Sequence, residues 1–260
     1  MDTLALVLVG AVAGTLAGLF GIGGGAVIIP VLALVFERQG VASGVVMQSA
    51  IGTSLATIVF TALSSMRAHH ARGAIRWPAF WQLTPGILAG ALIGAGVAHR
   101  LASETLKTIF GIFLLLLAVQ MARGVRPKAN RPLPPRSGML LAGGVIGSLS
   151  SLFGIGGSAI SVPFLMWCGV PAVEAVATAA AIGLPIALAG TAGYIVAGLQ
   201  VAELAPYSLG YVVLPAFAGV VAASTLFAPL GVCVAHRLRP VTLRRAFVLL
   251  LVVFGLRMLL

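Results

Sequence analysis

The feature that most constrains this chain is a glycine cluster that occurs twice inside long apolar segments. Residues 14–30 read GTLAGLFGIGGGAVIIP and residues 147–163 read GSLSSLFGIGGSAISVP, at a constant offset of 133 residues. Glycines cost a helix about 1 kcal/mol each, so three or four within five residues predict a break in each segment. A break frees backbone N–H and C=O groups that lipid cannot bind. Each break must therefore be buried in protein or line a wet cavity.

Composition places those segments in a membrane. The chain of 260 residues is 60% hydrophobic and only 8% charged, which excludes a soluble globular domain and predicts an all-α, polytopic membrane protein. The net charge of +11 comes from 16 Lys and Arg residues against 5 Asp and Glu. These basic residues stand at the ends of apolar segments, where the positive-inside rule places them. We therefore expect no nucleic-acid partner.

The apolar segments form two homologous halves of four segments each. We predict a first membrane repeat over 1–122, a basic, proline-rich cytoplasmic linker over 123–137 and a second membrane repeat over 138–260. The expected segments are 3–36, 45–66, 80–98 and 106–122, then 138–170, 173–199, 206–230 and 241–260. Two shorter motifs, AIG and VAHRL, also recur in the same order, at offsets of 131 and 137 residues. Three matches in one order indicate an internal duplication.

Charge distribution predicts how the broken segments sit. If all eight segments cross fully, the Lys and Arg residues divide 9 against 7 between the two sides. If each broken segment instead re-enters and returns to the same face, the Lys and Arg residues divide 12 against 4. The side with few basic residues then holds only Arg38, Arg100, Lys107 and Arg257. The second division obeys the positive-inside rule. It predicts re-entrant segments and two inverted repeats, with the linker in the cytoplasm.

The glycine clusters are candidate anion sites. A helix N-terminus carries about half a positive charge, and glycine lets a ligand approach the backbone closely. Tight helix packing is the alternative explanation, and it accounts well for Gly86, Gly90 and Gly94. It does not account for clusters as dense as the repeated one. The candidate substrate-binding positions in the two clusters are Gly21, Gly23, Gly24, Gly25, Gly154, Gly156, Gly157 and Ser158.

Polar side chains near the predicted breaks extend the candidate site. Gln48, Thr53 and Ser54 lie broadly on one helix face and offer neutral donors and acceptors, and Tyr194 is a further candidate in the second half. Hydrogen bonding between helices explains such residues equally well, so both roles stay open. At the matching positions of the second half stand Leu184 and Pro185. The two half-sites are therefore chemically unequal.

Several kinds of chemistry have no support in the sequence. No carboxylate lies in the middle of a segment, although proton-coupled carriers usually keep an ionisable group there. The four histidines stand at segment ends, and the two cysteines lack metal-like spacing. No nucleophile with a base and no nucleotide loop is apparent. We therefore expect neither catalysis nor a cofactor nor a metal.

The doubled pattern G-x-x-x-G/S-x-x-G-I-G-G-G/S, followed by proline in two four-segment halves, resembles the TauE/SafE family of sulfite exporters. The polar stretch from Gln48 to Ser54 and the basic loop ending at Trp77 also resemble that family's first half. The resemblance covers nearly the whole chain. It implies transport of sulfur-containing anions, such as sulfite, sulfoacetate or other sulfonates. The second copy departs from the first at Ser151 and Ser158, which adds hydroxyl groups on one side.

We therefore expect an α-helical permease in the inner (cytoplasmic) membrane of a prokaryote, with a small anion crossing between the two broken segments. Its expected partners are that anion and the lipid bilayer, and a homodimer is left open. One alternative is a transporter of a cation or a neutral metabolite, although the lack of mid-segment carboxylates disfavours a cation. Another is a membrane anchor subunit of an enzyme complex, which needs no polar site at mid-membrane. A channel would differ only in lacking alternating access.

Overall fold

A computed structural model describes residues 25–123, 132–224 and 240–260, and most of these residues are helical. The helices are α1 Gly25–Arg38, α2 Val46–Ala71, α3 Trp77–Arg100, α4 Ser103–Arg123, α5 Arg136–Leu152, α6 Ser158–Trp167, α7 Ala172–Gly198, α8 Leu214–Ser224 and α9 Pro240–Leu259. A 3₁₀ turn, Ser43–Val45, precedes α2, and two short strands, β1 Ser208–Leu209 and β2 Val212–Val213, precede α8. Four of the described helices, α2 with its 3₁₀ turn, α3, α4 and α7, are long and apolar enough to cross a membrane. The chain is thus an all-α, multi-pass membrane protein, as its composition predicts.

Contacts between helix ends define one end of the bundle, which we call the basic end. Here α2 leads into α3 through residues 72–76. The Arg76 guanidinium pairs with the Glu174 carboxylate near the start of α7, with Nε and Oε2 2.6 Å apart. The Arg76 backbone N–H also donates to the Thr178 hydroxyl at 3.0 Å. Helix α7 therefore begins at the basic end.

The opposite end of the bundle holds the short connection between α3 and α4. The Met47 N–H, in the first turn of α2, donates to the Ser103 hydroxyl at the start of α4 at 3.1 Å. Lys107 Nζ lies 3.7 Å from Glu37 Oε1 near the end of α1. Helix α1 therefore runs toward the opposite end.

Helices α3 and α5 pack backbone to backbone through small residues. A Cβ on Gly86, Gly90 or Gly94 of α3 would collide with a backbone carbonyl of α5. The carbonyls met are those of Leu140, Gly144 and Ser148, in the same order. The prediction that these three glycines serve packing is confirmed. Because the order is the same in both helices, α3 and α5 are parallel and both start at the basic end.

The second glycine-rich segment consequently begins and ends at the same end of the bundle. Helix α5 starts at the basic end, and α7, which follows α6, starts there too. A re-entrant segment requires this arrangement. Helix α9 runs antiparallel to α4, since Gly111 lies beside Met258 and Leu115 beside Gly255. The start of α9 therefore lies toward the basic end, as the charge distribution predicts for re-entrant segments.

The two predicted repeats share one apolar core. Buried side chains of this core extend from Ala26 in α1 to Met258 in α9. Helix α2 packs against α7 and α4 against α9, and each of these pairs joins matching segments of the predicted repeats. The division at 123–137 stays a prediction, since residues 124–131 lie outside the described part of the chain.

The segment predicted at about 206–230 starts differently from the expectation. It opens with an antiparallel hairpin in which Ser208 pairs with Val213 and Leu209 with Val212. Gly210, in the two-residue loop, has φ of 54°, a conformation that suits glycine at the first loop position. A Cβ there would collide with the backbone of Ile195 in α7. The helix therefore begins only at Leu214.

Candidate functional site

The second glycine cluster is a true helix break in the middle of the protein. Helix α5 ends at Leu152, and α6 begins at Ser158. Between them Gly154 and Gly157 have φ of 58° and 76°, a left-handed conformation that residues with a Cβ rarely adopt. The Ile155 N–H donates to the Ser150 carbonyl at 2.9 Å and closes the end of α5. The break predicted in this copy is confirmed.

Gly25, the last glycine of the first cluster, lies against the second cluster at this break. Gly21, Gly23 and Gly24 lie outside the described residues. Gly25, where the description of α1 begins, is buried and lies so close to the second cluster that a Cβ on it would collide with the Gly154 carbonyl oxygen. The same Cβ would lie 3.1 Å from the Ile155 Cα. From this meeting point α1 runs to the opposite end and α6 to the basic end.

Helix α2 contacts the break through Ser54. The buried Ser54 hydroxyl donates to the Gly154 carbonyl at 3.3 Å and so joins the two predicted repeats. The neighbouring Thr53 hydroxyl accepts the Val213 N–H of the hairpin at 3.0 Å. Of the polar residues predicted on α2, Ser54 is thus brought to the break, while Thr53 holds the hairpin against the helix.

Gln48 lies farther away, at the opposite end of the bundle. Its Nε2 donates to the Leu101 carbonyl at 2.9 Å and to the Ala98 carbonyl at 3.4 Å. Its Oε1 is buried with no partner among the described residues. The Gln48 side-chain NH2 group therefore links α2 to the α3–α4 connection, and its Oε1 stays without a donor in the described part of the chain.

Helix α7 closes the other side of the break. The Gly156 carbonyl packs against Gly183, where a Cβ would lie 2.8 Å from the oxygen. The buried Tyr194 hydroxyl donates to the Ser151 carbonyl at 3.3 Å. The Cδ1 of Ile186 lies against Gly157, at the point a Cβ there would occupy. Tyr194 thus supports the last turn of α5, directly before the break.

Free backbone donors collect at the start of α6. The first N–H groups of a helix have no partner inside it. No hydrogen bond joins the N–H of Gly156, Gly157, Ser158 or Ala159 to another residue within the described ranges. The helix dipole adds about half a positive charge at this point. The start of α6 is thus a donor-rich, partly buried end of a helix.

Four buried serine hydroxyls belong to the segment from the end of α5 to the first turns of α6, and the sequence singled out two of them, Ser151 and Ser158, as added hydroxyl groups, with Ser158 as a candidate site residue. Each is buried and has no hydrogen-bond partner in the described part of the chain: Ser150, Ser151, Ser158 and Ser161. A comparison of the two copies could have found all four. The matching positions of the first copy are apolar or glycine, namely Ala17, Gly18, Gly25 and Ile28. The hydroxyls thus distinguish the second copy from the first.

Among the described residues, the side chains buried around the break carry no full charge. No Lys, Arg, Asp or Glu is buried among the described residues. The same residues contain no group of His, Cys, Asp and Glu that could hold a metal ion. Within the described residues the break therefore offers hydrogen-bond donors and partial positive charge but no buried carboxylate, lysine or arginine. Such a site can bind an anion and does not itself take up or release a proton.

Comparison with known proteins places the chain among membrane transporters. The profile of the family described as "Sulfite exporter TauE/SafE" matches residues 6–258. A probable membrane transporter protein of Haemophilus influenzae is 38% identical over 257 residues, which cover 98% of this chain and 97% of that protein. A second, from Methanocaldococcus jannaschii, is 33% identical and covers 98% and 94%. A third, from Bacillus subtilis, is 32% identical and covers 76% and 80%. No solved structure shows a significant match.

Proposed function

Since this chain belongs to the sulfite exporter TauE/SafE family and is a multi-pass membrane transporter, we propose that it exports small sulfur-containing anions across the inner membrane of a prokaryotic cell. Sulfite, sulfoacetate and other sulfonates are the candidate substrates. One structural observation carries the proposal. The start of α6, with its free N–H groups and buried serine hydroxyls, lies at a helix break that Gly25 of the first glycine cluster contacts.

The geometry of the break suits recognition of an oxyanion. Gly156 and Gly157 carry no side chain, so an anion that displaces the Ile186 side chain can approach their N–H groups as closely as hydrogen bonding requires. Ser54 donates to the Gly154 carbonyl, so that acceptor of the break is already paired. Sulfonate groups carry several acceptor oxygens and no donor, and hydrogen sulfite carries several acceptor oxygens and a single proton. A set of donors without competing acceptors favours such groups over neutral or cationic solutes.

The membrane potential can supply the driving force. An anion that leaves an inside-negative cell gains about 2.3 kcal/mol per charge per 100 mV. This energy corresponds to an outward gradient of about 50-fold without a coupling ion. The break contains no buried carboxylate or lysine to relay a proton among the described residues. Uniport of the anion is therefore the simplest mechanism that the site supports.

A flux panel tests this function. Purified protein in liposomes should transport sulfite, sulfoacetate or a simple sulfonate faster than taurine or simple carboxylates. Gly157→Leu should abolish this flux because the side chain would fill the approach to the backbone. Gly96→Leu is the matched control, since Gly96 lies on α3 with no atom within 4 Å of its Cβ position. Transport of neutral solutes alone would favour the metabolite alternative, and no flux with any solute would favour a membrane anchor.

A further inference from the structure

Two serine hydroxyls lie beside Gly157, and we call these two, together with the hydroxyl of the adjacent Ser158, the serine cradle. The hydroxyl oxygens of Ser150 and Ser161 lie 3.6 and 3.7 Å from the point where a Cβ on Gly157 would stand. Ser158, the next residue, completes the group at the start of α6. Ser150 and Ser161 are 1% and 0% exposed. All three hydroxyls lack a partner among the described residues.

Packing alone does not explain the serine cradle. Burial of a hydroxyl without a hydrogen bond is unfavourable, and folded proteins keep few such groups. An alanine methyl would fill nearly the same space without that penalty. The first copy has Ala17, Gly25 and Ile28 at the three matching positions. A ligand that accepts hydrogen bonds from the hydroxyls accounts for their presence.

The charge that the serine cradle can hold follows from what surrounds it. The helix start contributes about half a positive charge, and no charged side chain is buried among the described residues. Because the cost of removing an ion from water grows with the square of its charge, a dianion costs about four times as much as a monoanion. The hydroxyl and N–H donors at a single helix start can offset the cost of removing a monoanion from water, but not the larger cost for a dianion.

We propose that the serine cradle binds the transported group as a singly charged oxyanion and discriminates against oxyanion groups that carry two charges themselves, such as sulfate and fully ionised sulfite. This inference rests on the proposed function and specifies its substrate class. A sulfonate group binds directly, and sulfite binds as hydrogen sulfite. Ser150 and Ser161 are the specificity-determining residues. The Ile186 side chain, whose Cδ1 occupies the space over Gly157, moves aside when the anion enters.

The role of the hydroxyls can be tested by measuring how anions raise the thermal unfolding temperature of the purified protein in detergent. The probes are methanesulfonate, a monoanion, and sulfate, a dianion of similar shape. Ser150→Ala with Ser161→Ala should weaken methanesulfonate binding about tenfold or more, since each change removes a donor to a charged group. The same double variant without anion should be as stable as the parent protein or more stable, because the unpaired hydroxyls are gone. Ile186→Val, which removes Cδ1, should bind methanesulfonate at least as tightly as the parent protein.

Ser148→Ala is the matched control. Its hydroxyl lies on the same helix but donates to the Gly90 carbonyl at 3.0 Å, in the α3–α5 interface. Loss of that hydrogen bond should lower stability and leave methanesulfonate affinity unchanged. If the double variant loses stability as Ser148→Ala does, or keeps its affinity, the hydroxyls are structural and the serine cradle is not a site.

Flux in liposomes tests the charge selectivity. Methanesulfonate should cross, and sulfate should cross at least tenfold more slowly. At fixed total sulfite, flux should rise as the pH falls and hydrogen sulfite replaces sulfite, while methanesulfonate flux stays constant. Equal transport of sulfate and methanesulfonate would overturn the selectivity but leave the proposed function standing. Failure of the parent protein to transport any sulfur anion would overturn the proposed function, and the serine cradle with it.

Discussion

Gly25 and Gly154 touch backbone to backbone, and neither position has room for a side chain. A Cβ on Gly25 would collide with the Gly154 carbonyl, and one on Gly154 would lie 2.6 Å from the Ile29 Cδ1. These two residues are 129 positions apart in the chain. Their contact joins the start of the described part of α1, in the first predicted repeat, to the helix break of the second.

Gly25→Ala should destabilise the protein by about 1–3 kcal/mol, because the new methyl overlaps a backbone carbonyl that cannot rotate away. Thermal unfolding in detergent measures the effect. Gly44→Ala is the control, since no atom lies within 4 Å of the Cβ position at Gly44. Equal stability of the two variants would show that the contact between the clusters is looser than described.

The glycine contact between α3 and α5 gives a second prediction. Gly90→Ala should destabilise the protein by about 1–3 kcal/mol, because its methyl would collide with the Gly144 carbonyl. Gly96→Ala, on the same helix but in open space, should be neutral or stabilise by up to about 1 kcal/mol through helix propensity. Unfolding of both variants under the same conditions compares them. A neutral Gly90→Ala would argue against close packing of these helices.

Thr53 provides a test of the hairpin. Its hydroxyl accepts the buried Val213 N–H, so Thr53→Val leaves that donor unpaired and should cost about 1–3 kcal/mol. Thr53→Ser keeps the acceptor and should cost less, about 1 kcal/mol for the lost methyl. Thermal unfolding separates the two variants. If instead Thr53→Val keeps its stability and loses anion affinity, Thr53 belongs to the binding site.

Membrane sidedness can be tested at three exposed arginines in a background without Cys168 and Cys233. Single cysteines at Arg72 and Arg245 should resist labelling from outside intact cells, and a cysteine at Arg38 should react. The helix directions place the first two toward the basic end and Arg38 at the opposite end. If eight segments crossed fully, Arg245 would label together with Arg38. That pattern would contradict the re-entrant arrangement.

The sequence predicts the helical framework well because glycine clusters and apolar lengths are local signals. The break at Gly154–Gly157 lies where the second cluster indicates, and α2, α3, α4 and α7 lie within a few residues of the expected segments. The hairpin before α8 was not predicted, because its residues continue an apolar run. Its turn depends on Gly210, which fits only against Ile195 of another helix.

The partners of the polar residues were less predictable, because they depend on tertiary contacts. Ser54 and Thr53 are adjacent in sequence, yet one bonds the break and the other the hairpin. Ser150 and Ser161 look like ordinary small residues of membrane helices until both are seen beside Gly157. The absence of hydroxyls at the matching positions of the first copy is the one sequence signal that distinguishes them.

The most direct test of the central claim is the response of anion flux to membrane potential. Purified protein is placed in liposomes with a potential set by potassium and valinomycin, and the best-transported sulfur anion is followed. If an anion crosses alone through the break, an inside-negative potential of 100 mV should drive it out to a gradient of about 50-fold, and an inside-positive one should accumulate it equally. Flux and final distribution that do not depend on the sign of the potential would contradict the account.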